Sequence, residues 1–314
     1  MATETVSNNS LLIDADIYSS FIKEALMDEL IAMQWVDWLN DFNQGAHTYR
    51  IPSIGEAVVD DYVEGEAIKF RPFDKGEFTM VIDKHKTSGH SISDIAMEDV
   101  DYATQLVSKI PSSETRAILK QVEGDIFKLQ GSQTAADTNL INGEKHRYVA
   151  TGTSNVIGVE DFARANLSLN KANVSSRNRI AVVDPSVEYT LSTLTNLSNV
   201  SNNPMWDGVV RDGMTSGMRF SMNVYGWDVY VSNYLDEIET ETLETVDVSG
   251  FKANMFFSAD GDENPFKGAW ARMPRFKTWR DEDREETKYA TSSRYGLSLY
   301  RPESLIVIPS NPSV

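Results

Sequence analysis

Cysteine is absent from this sequence, histidine occurs four times, and 29 lysines and arginines face 47 aspartates and glutamates. Without thiols there is no disulfide framework, no thiolate metal site and no cysteine nucleophile. His47, His85, His90 and His146 are scattered, with no His-x-x-x-His pair, so they do not compose a zinc site. The net charge of −18 argues against a nucleic-acid groove, which needs clustered cations to meet phosphates. No run approaches the ~20 apolar residues of a membrane span. Met1 to Ser20 lack the basic start and continuous apolar core of a signal peptide. The expectation is a soluble protein made in a cytoplasm.

Catalytic signatures are missing as well. There is no Gly-x-Ser-x-Gly elbow, no glycine loop ending in Lys-Ser/Thr and no dinucleotide fingerprint. Asp260, Asp262 and Asn264 alternate like the start of a calcium loop. Pro265 stands where that loop needs glycine, however, and Ala271 where it needs glutamate, so a solvated turn is expected. With so many carboxylates, abundance singles out no acid/base pair. Neither an enzyme nor a cofactor is predicted.

What is present is the composition of a folded protein. The 314 residues are 41% hydrophobic and 24% charged, enough for one large domain or two ordinary ones. Residues 1–12 read as a small, polar tail. Asp14 to Phe42 reads as one amphipathic helix with Ile17, Phe21, Leu26, Leu30, Met33 and Val36 on a face that Trp35, Trp38, Leu39 and Phe42 widen. Such a helix needs a surface to lie on, in its own core or on a neighbouring subunit.

From Thr48 to Ile92 the pattern predicts a long two-stranded hairpin with sparse apolar residues and glycine punctuation. Its charge is divided: Asp60, Asp61, Glu64 and Glu66 precede Lys69, Arg71 and Lys75. An isolated hairpin is marginal in water, so this one should lean on something outside itself. Divided charge suits head-to-tail contact between copies, setting register while buried apolar groups supply affinity. Phe70, Phe73, Phe78 and the Trp35/Trp38 end of the helix are the candidates for that buried part. In the charge run from Arg280 to Glu286, Arg280 and Arg284 belong either to a solvated surface or to an ion-pair patch between subunits.

The remaining pattern is mixed. A short helix or two should start at Asp94, Pro111 should break it, and a second helix should run from Glu114 to Gln130 with Ile118, Val122 and Ile126 inward. Residues 131–158 read as loop, and Val159 to Val174 as a helix burying Phe162, Ala165 and Leu169. Arg179 to Asp184 reads as a buried strand leading to a helix at Pro185, and 196–217 as loop. Strands are expected at Met218–Val224 and Trp227–Val231 around Tyr225-Gly226, then at Phe251–Ser258, Arg272–Trp279, Ser293–Tyr300 and Leu305–Pro309. The fold class is α+β.

The order of these elements, with the runs Val182-Val183-Asp184-Pro185-Ser186-Val187-Glu188-Tyr189, Tyr225-Gly226-Trp227-Asp228-Val229, Trp279 to Arg284 and Tyr295-Gly296 to Leu305, resembles the major capsid proteins of tailed bacteriophages. Their shell fold is named after the Hong Kong 97 phage. The resemblance implies an N-terminal arm at 1–46, an extended β-hairpin loop at 47–91 and a peripheral domain with a long spine helix at 92–131. It further implies an axial domain at 132–268 and return strands of the peripheral domain at 269–314. It implies no catalysis and no cofactor, but self-assembly through hexamers and pentamers into an icosahedral head around double-stranded DNA. A separate scaffolding protein, a portal and a decoration protein are the implied partners, with no membrane. Some relatives cross-link a loop lysine to a neighbour's asparagine; Lys69 and Lys75 lie in the loop, but no acceptor can be placed and no such bond is predicted. The alternatives are an encapsulin-type nanocompartment shell and an acidic hydrolase using a carboxylate pair.

Overall fold

The computed structural model describes residues 30–39, 47–55, 57–61, 64–65, 67, 70–72, 74–99, 103–132, 140–193 and 220–312. In chain order, β1 (Asp37–Leu39) precedes the antiparallel pair β2 (Thr48–Ile54) and β3 (Lys75–Val81). The strand β4 (Lys84–Ser93) runs into α1 (Asp94–Asp99), followed by α2 (Ala103–Phe127). A small hairpin, β5 (Leu140–Ile141) and β6 (Glu144–Lys145), leads to α3 (Val159–Lys171), β7 (Arg179–Val183) and α4 (Pro185–Thr193). Next come β8 (Phe220–Val224), β9 (Trp227–Val231), the short pair β10 (Thr242–Leu243) and β11 (Val246–Asp247), and β12 (Lys252–Ser258). The chain ends with the long strands β13 (Phe266–Asp281) and β14 (Glu286–Leu299), then β15 (Leu305–Ser310).

One sheet has the order β15-β12-β7-β9-β8 and is covered on both faces. Alternation explains why its strands read as unbroken apolar runs: Ile180 and Val182 of β7 join one core, while Ala181 and Val183 join another. Met255/Phe257 and Phe256 divide in the same way on β12, as do Leu305/Val307 and Ile306/Ile308 on β15. The core with Phe256 is closed by Phe162, Ala165 and Leu169 of α3, as the helical spacing predicts, and by Val187 and Leu191 of α4. The opposite core takes Val122, Ile126 and Phe127 of α2. At the β8–β9 turn Tyr225 and Gly226 both have positive φ, 50° and 82°, the two-residue geometry that continues the twist of paired strands.

The second sheet, β1-β13-β14-β4, packs against α2. Here two expectations fail. Pro111 does not break the helix; it lies inside α2. A helical proline forfeits a backbone hydrogen bond at a cost of ~3 kcal/mol, but Ile118, Val122 and Ile126 are buried beyond it, and the Ser112 hydroxyl donates to the Lys109 carbonyl at 2.9 Å. Packing outweighs the local penalty.

The predicted helix from Asp14 to Phe42 is the second. Residues 14–29 and 40–42 lie outside the described residues, and the part between is a 3-10 turn at Ala32–Trp35 followed by β1, which pairs in parallel with β13. The turn is held from outside: the buried Glu123 carboxylate of α2 accepts hydrogen bonds from the backbone N–H groups of Ile31 (2.9 Å) and Ala32 (2.9 and 3.0 Å). Asn264 donates to the Trp35 carbonyl at 2.6 Å, which also gives this end of the supposed calcium loop a structural role.

Candidate assembly surface

The strand β14 separates two environments, because its side chains alternate between faces. On one face Tyr295 donates to Asp125 (2.7 Å) and Thr291 to Glu114 (2.7 Å), both on α2. His90 of β4 reaches the same Glu114 at 2.8 Å, and Lys86 lies 3.5 Å from Asp125. Burial without enough opposing interactions pushes the Tyr295 hydroxyl far above its ordinary range, and its bond to Asp125 adds to that. This face is a buried polar seam that fixes the helix on the sheet.

The other face carries the base of the β2–β3 hairpin. Met80, Ile82 and Ala269 form a small core there with Leu39, Tyr49 and Phe78 around it. Gly296 makes the close approach possible: a Cβ on it would stand 2.6 Å from the Val81 carbonyl oxygen and 3.0 Å from the Ile82 Cα. On the same face Arg294 donates to His47 Nδ1 at 2.6 Å, just before β2 begins. The strands then leave the body. β2 and β3 pair along seven residues, from Thr48–Val81 to Ile54–Lys75, and among the described residues no third strand joins them.

Beyond Ile54 the loop presents its apolar groups to solvent. Val59 and Phe70 are each 92% exposed, and Val58 is 67% exposed. Such groups on a projecting segment mark a surface awaiting a partner. No cluster of metal-ligating side chains occurs among the described residues, and no described helix is long and apolar enough to cross a membrane. A cleft beside the end of α2 is lined by Gln130, Arg147, Asp236, Glu237 and Glu241. Three of its acids are engaged, with Arg147 donating to Glu241, Lys252 to Glu237 at 3.2 Å and Gln130 to Asp236 at 3.0 Å, while Glu239 is exposed on its rim.

The described chain thus combines a sheet closed on both faces, a long helix seated on a second sheet, and a hairpin projecting from that sheet. A family model described as phage capsid protein matches residues 77–308. The chain belongs to the phage capsid protein family. Among solved structures this capsid protein is similar to one from Mycobacterium phage Che8, with a TM-score of 0.69 and 18% identity over 96% of this chain and 97% of that one. It is also similar to the mature capsid of bacteriophage PhiM1 (TM-score 0.68, 12% identity, 97% of this chain and 94% of that one). The capsid of Ralstonia phage GP4 gives 0.65 at 11% identity, over 99% and 98% of the two chains. At such identities the likeness establishes the fold, which is the Hong Kong 97-like shell fold. No curated protein sequence matches. The protein is a major capsid protein: a component of the virion that forms an oligomeric shell.

The capsid protein distributes the predicted contact residues unevenly. Trp35 is a correction: at 7% exposed it belongs to its own subunit's core, edge-on to Tyr230 at 5.0 Å and Phe257 at 5.6 Å. Trp38 is likewise engaged within the chain, stacked on Trp270 at 4.9 Å. The sequence pattern showed an apolar end but not what covers it. Phe78 is half-buried against Tyr300 at 5.0 Å. Phe70, Asp61, Glu64 and Lys75 are exposed. Asp60 and Arg71 meet each other at 2.8 Å, so the acidic and basic halves of the loop touch within one chain. Both side chains keep much of their exposure, and such a pair contributes at most ~1 kcal/mol. Glu66, Lys69 and Phe73 lie outside the described residues.

The run from Arg280 to Glu286 forms the tip of the β13–β14 hairpin. Arg280 grips Asp94 of α1 through two bonds, at 3.0 and 2.6 Å, and pairs with Glu282 at 2.9 Å. Lys288 donates to Asp281, which holds that carboxyl below its ordinary value. Arg284 is exposed in the turn. Sequence reading passed over Arg272, Arg275, Lys277 and Arg294. Pairing of Arg272 with Arg294, Arg275 with Ser292 and Lys277 with Ala290 puts these four cations on one face of the sheet. The two-residue spacing of Arg275 and Lys277 was legible; their company with Arg272, across a bulge, and with Arg294, on another strand, was not.

Proposed function

We propose that this capsid protein closes an icosahedral head through hexamers and pentamers and that the head encloses the phage's double-stranded DNA. The observation that carries this reading is the projecting hairpin, whose base is packed on its own sheet while Val59 and Phe70 at its loop have no cover from the described chain. Burying two such side chains on a neighbour would yield roughly 1.5–3 kcal/mol each, repeated at every subunit of the shell. In this assignment residues 1–46 are the arm, 47–91 the extended loop, 92–131 the spine of the peripheral domain, 132–268 the axial domain and 269–314 the returning strands. The net charge of −18 supports a shell that repels phosphate and leaves its DNA free to exit. Assembly takes place in the bacterial cytoplasm, with a scaffolding protein and a portal as partners and a decoration protein as a further one. The chain acts as architecture, without a catalytic residue.

Expression of the full chain together with its scaffold, followed by gradient sedimentation and electron microscopy, tests the reading. Closed, uniformly sized particles built of rings of six and five are expected. Small monodisperse species under every assembly condition would refute it.

A further inference from the structure

The outward face of α2 carries charge of one sign, and it is the minority sign of this chain. All three acids of the helix are turned inward, with Glu114 1%, Glu123 0% and Asp125 8% exposed. Its three cations, Lys109, Arg116 and Lys120, are exposed. At about 100° of rotation per residue the three fall within about 40° of one another, so they make a single line along the helix. Lys120 also rests over the Tyr234 ring at 5.0 Å, a contact that leaves its charge in place. Beside the line Ser113, Ala117 and Gly124 form a low track, and a Cβ on Gly124 would meet nothing within 4 Å. Three residues beyond Lys120 stands Glu123, whose carboxylate holds the backbone of Ile31 and Ala32. The chain preceding Ile31 therefore starts at the end of the cationic line.

That preceding segment, residues 14–29, lies outside the described residues, but its sequence brings the opposite charge. Asp14, Asp16, Glu24, Asp28 and Glu29 stand against Lys23 alone, with Ile17, Phe21 and Leu26 at helical spacing among them. The lengths agree as well: α2 covers about 21 Å from Lys109 to Glu123, and residues 14–30 as a helix cover about 25 Å. Ile31 and Glu123 are 92 residues apart in sequence. A helix running beside α2 in the same direction keeps that offset, which sets Asp28 level with Lys120, Glu24 with Arg116 and Ala25 with Ala117. The next element fits this direction. β1 pairs in parallel with β13, which runs on to Arg280 and so toward Asp94, ahead of the start of α2. The turn at Ala32–Trp35 then sends back a chain that has followed α2 to Glu123. We propose that residues 14–29 lie as a helix along the cationic line of α2 in their own subunit, with Glu24 and Asp28 on Arg116 and Lys120. The contact goes beyond the shell reading, since it belongs to the single folded subunit and needs no neighbour. Exposed ion pairs of this kind are individually weak and screened by salt, so added salt loosens the segment.

Because the chain has no cysteine, a designed pair of thiols tests this without interference. A25C/A117C in the full chain, oxidised with diamide at low salt, is expected to form a disulfide within one chain. Monomer mobility on a non-reducing denaturing gel and a linked peptide in mass spectrometry identify it. The bond should form at least about tenfold faster than in A25C/A163C, whose second thiol lies on the exposed side of α3. Adding R116E/K120E should slow it at least about threefold, and adding E24K/D28K to those should restore it to within about twofold. R116Q/K120Q serves if the reversal disturbs folding, as judged by circular dichroism, and should give an intermediate rate. The proposal is overturned if A25C/A117C reacts no faster than the control pair, or if R116E/K120E leaves its rate unchanged. It is equally overturned if the bond forms only between chains, which would seat the segment on a neighbouring copy. An intrachain bond in a protein that forms no particle would refute the shell reading and leave this contact standing.

Discussion

Glu123 offers the sharpest test of how the 3-10 turn before β1 is joined to the body. Its carboxylate is fully buried on α2 and accepts from the backbone N–H groups of Ile31 and Ala32, with three contacts between 2.9 and 3.0 Å. Glu123→Ala leaves two backbone donors without their acceptor in the interior. An unsatisfied buried donor costs about 1–3 kcal/mol, so the junction should weaken by about 2–6 kcal/mol. Glu123→Gln keeps one oxygen but turns an amide N–H₂ toward a backbone N–H, so an intermediate loss of about 1–3 kcal/mol is expected. Hydrogen exchange at the amides of residues 31 and 32 measures this locally, and limited proteolysis near residue 30 reports it independently. Exchange at those two amides should accelerate in the order Ala, then Gln, then the original, while the β7–β12 ladder stays protected. Unchanged protection at both amides in the Ala variant would refute the claim that this carboxylate holds the turn before β1.

Three further outcomes are expected. Gly296→Val should displace the hairpin base, because even a Cβ would meet the Val81 carbonyl at 2.6 Å; overpacking of this kind costs about 1–3 kcal/mol, and a spin-label distance from the loop to the sheet should lengthen. Phe256→Ala, at a fully buried position between Phe162 and Trp227, should cost about 3–5 kcal/mol in urea unfolding of the subunit. Burial holds the His146 imidazole below its ordinary pKa of 6.5. The unfolded chain then binds the extra proton first, so His146's contribution is complete above pH 6.5 and is lost as pH falls from there through the lower folded value. A His146→Gln variant should show a flatter decline of the urea midpoint between pH 7 and pH 5.5 than the original chain, and equal slopes would count against this.

The elements read correctly from sequence are those in which local chemistry and tertiary demand agree. The run Arg179 to Val183 has no polar alternation, and only a strand covered on both faces uses such a run. Tyr225-Gly226 between apolar stretches meets the backbone requirement of a tight turn. The misreadings fall where a distant group decides. Nothing local to Ala32 announces that Glu123, ninety-one residues away, will take its N–H and turn a helical pattern into a 3-10 turn and a strand. Nothing near Pro111 says that the apolar face beyond it is buried well enough to carry the helix through.

The contact residues divide along the same line. Hydrophobic and charge patterning along the chain determined on their own that a hairpin must exist and that it carries unsatisfied apolar groups. Which aromatic residues remain outside was decided by tertiary packing: Trp35 and Phe70 look alike in sequence, yet one is enclosed by Tyr230 and Phe257 and the other stands in solvent. Strand pairing, likewise, gathered cations from β13 and β14 onto one face. Periodicity is a property of neighbours along the chain, whereas burial and charge clustering are properties of neighbours in space, and only folding makes the second kind.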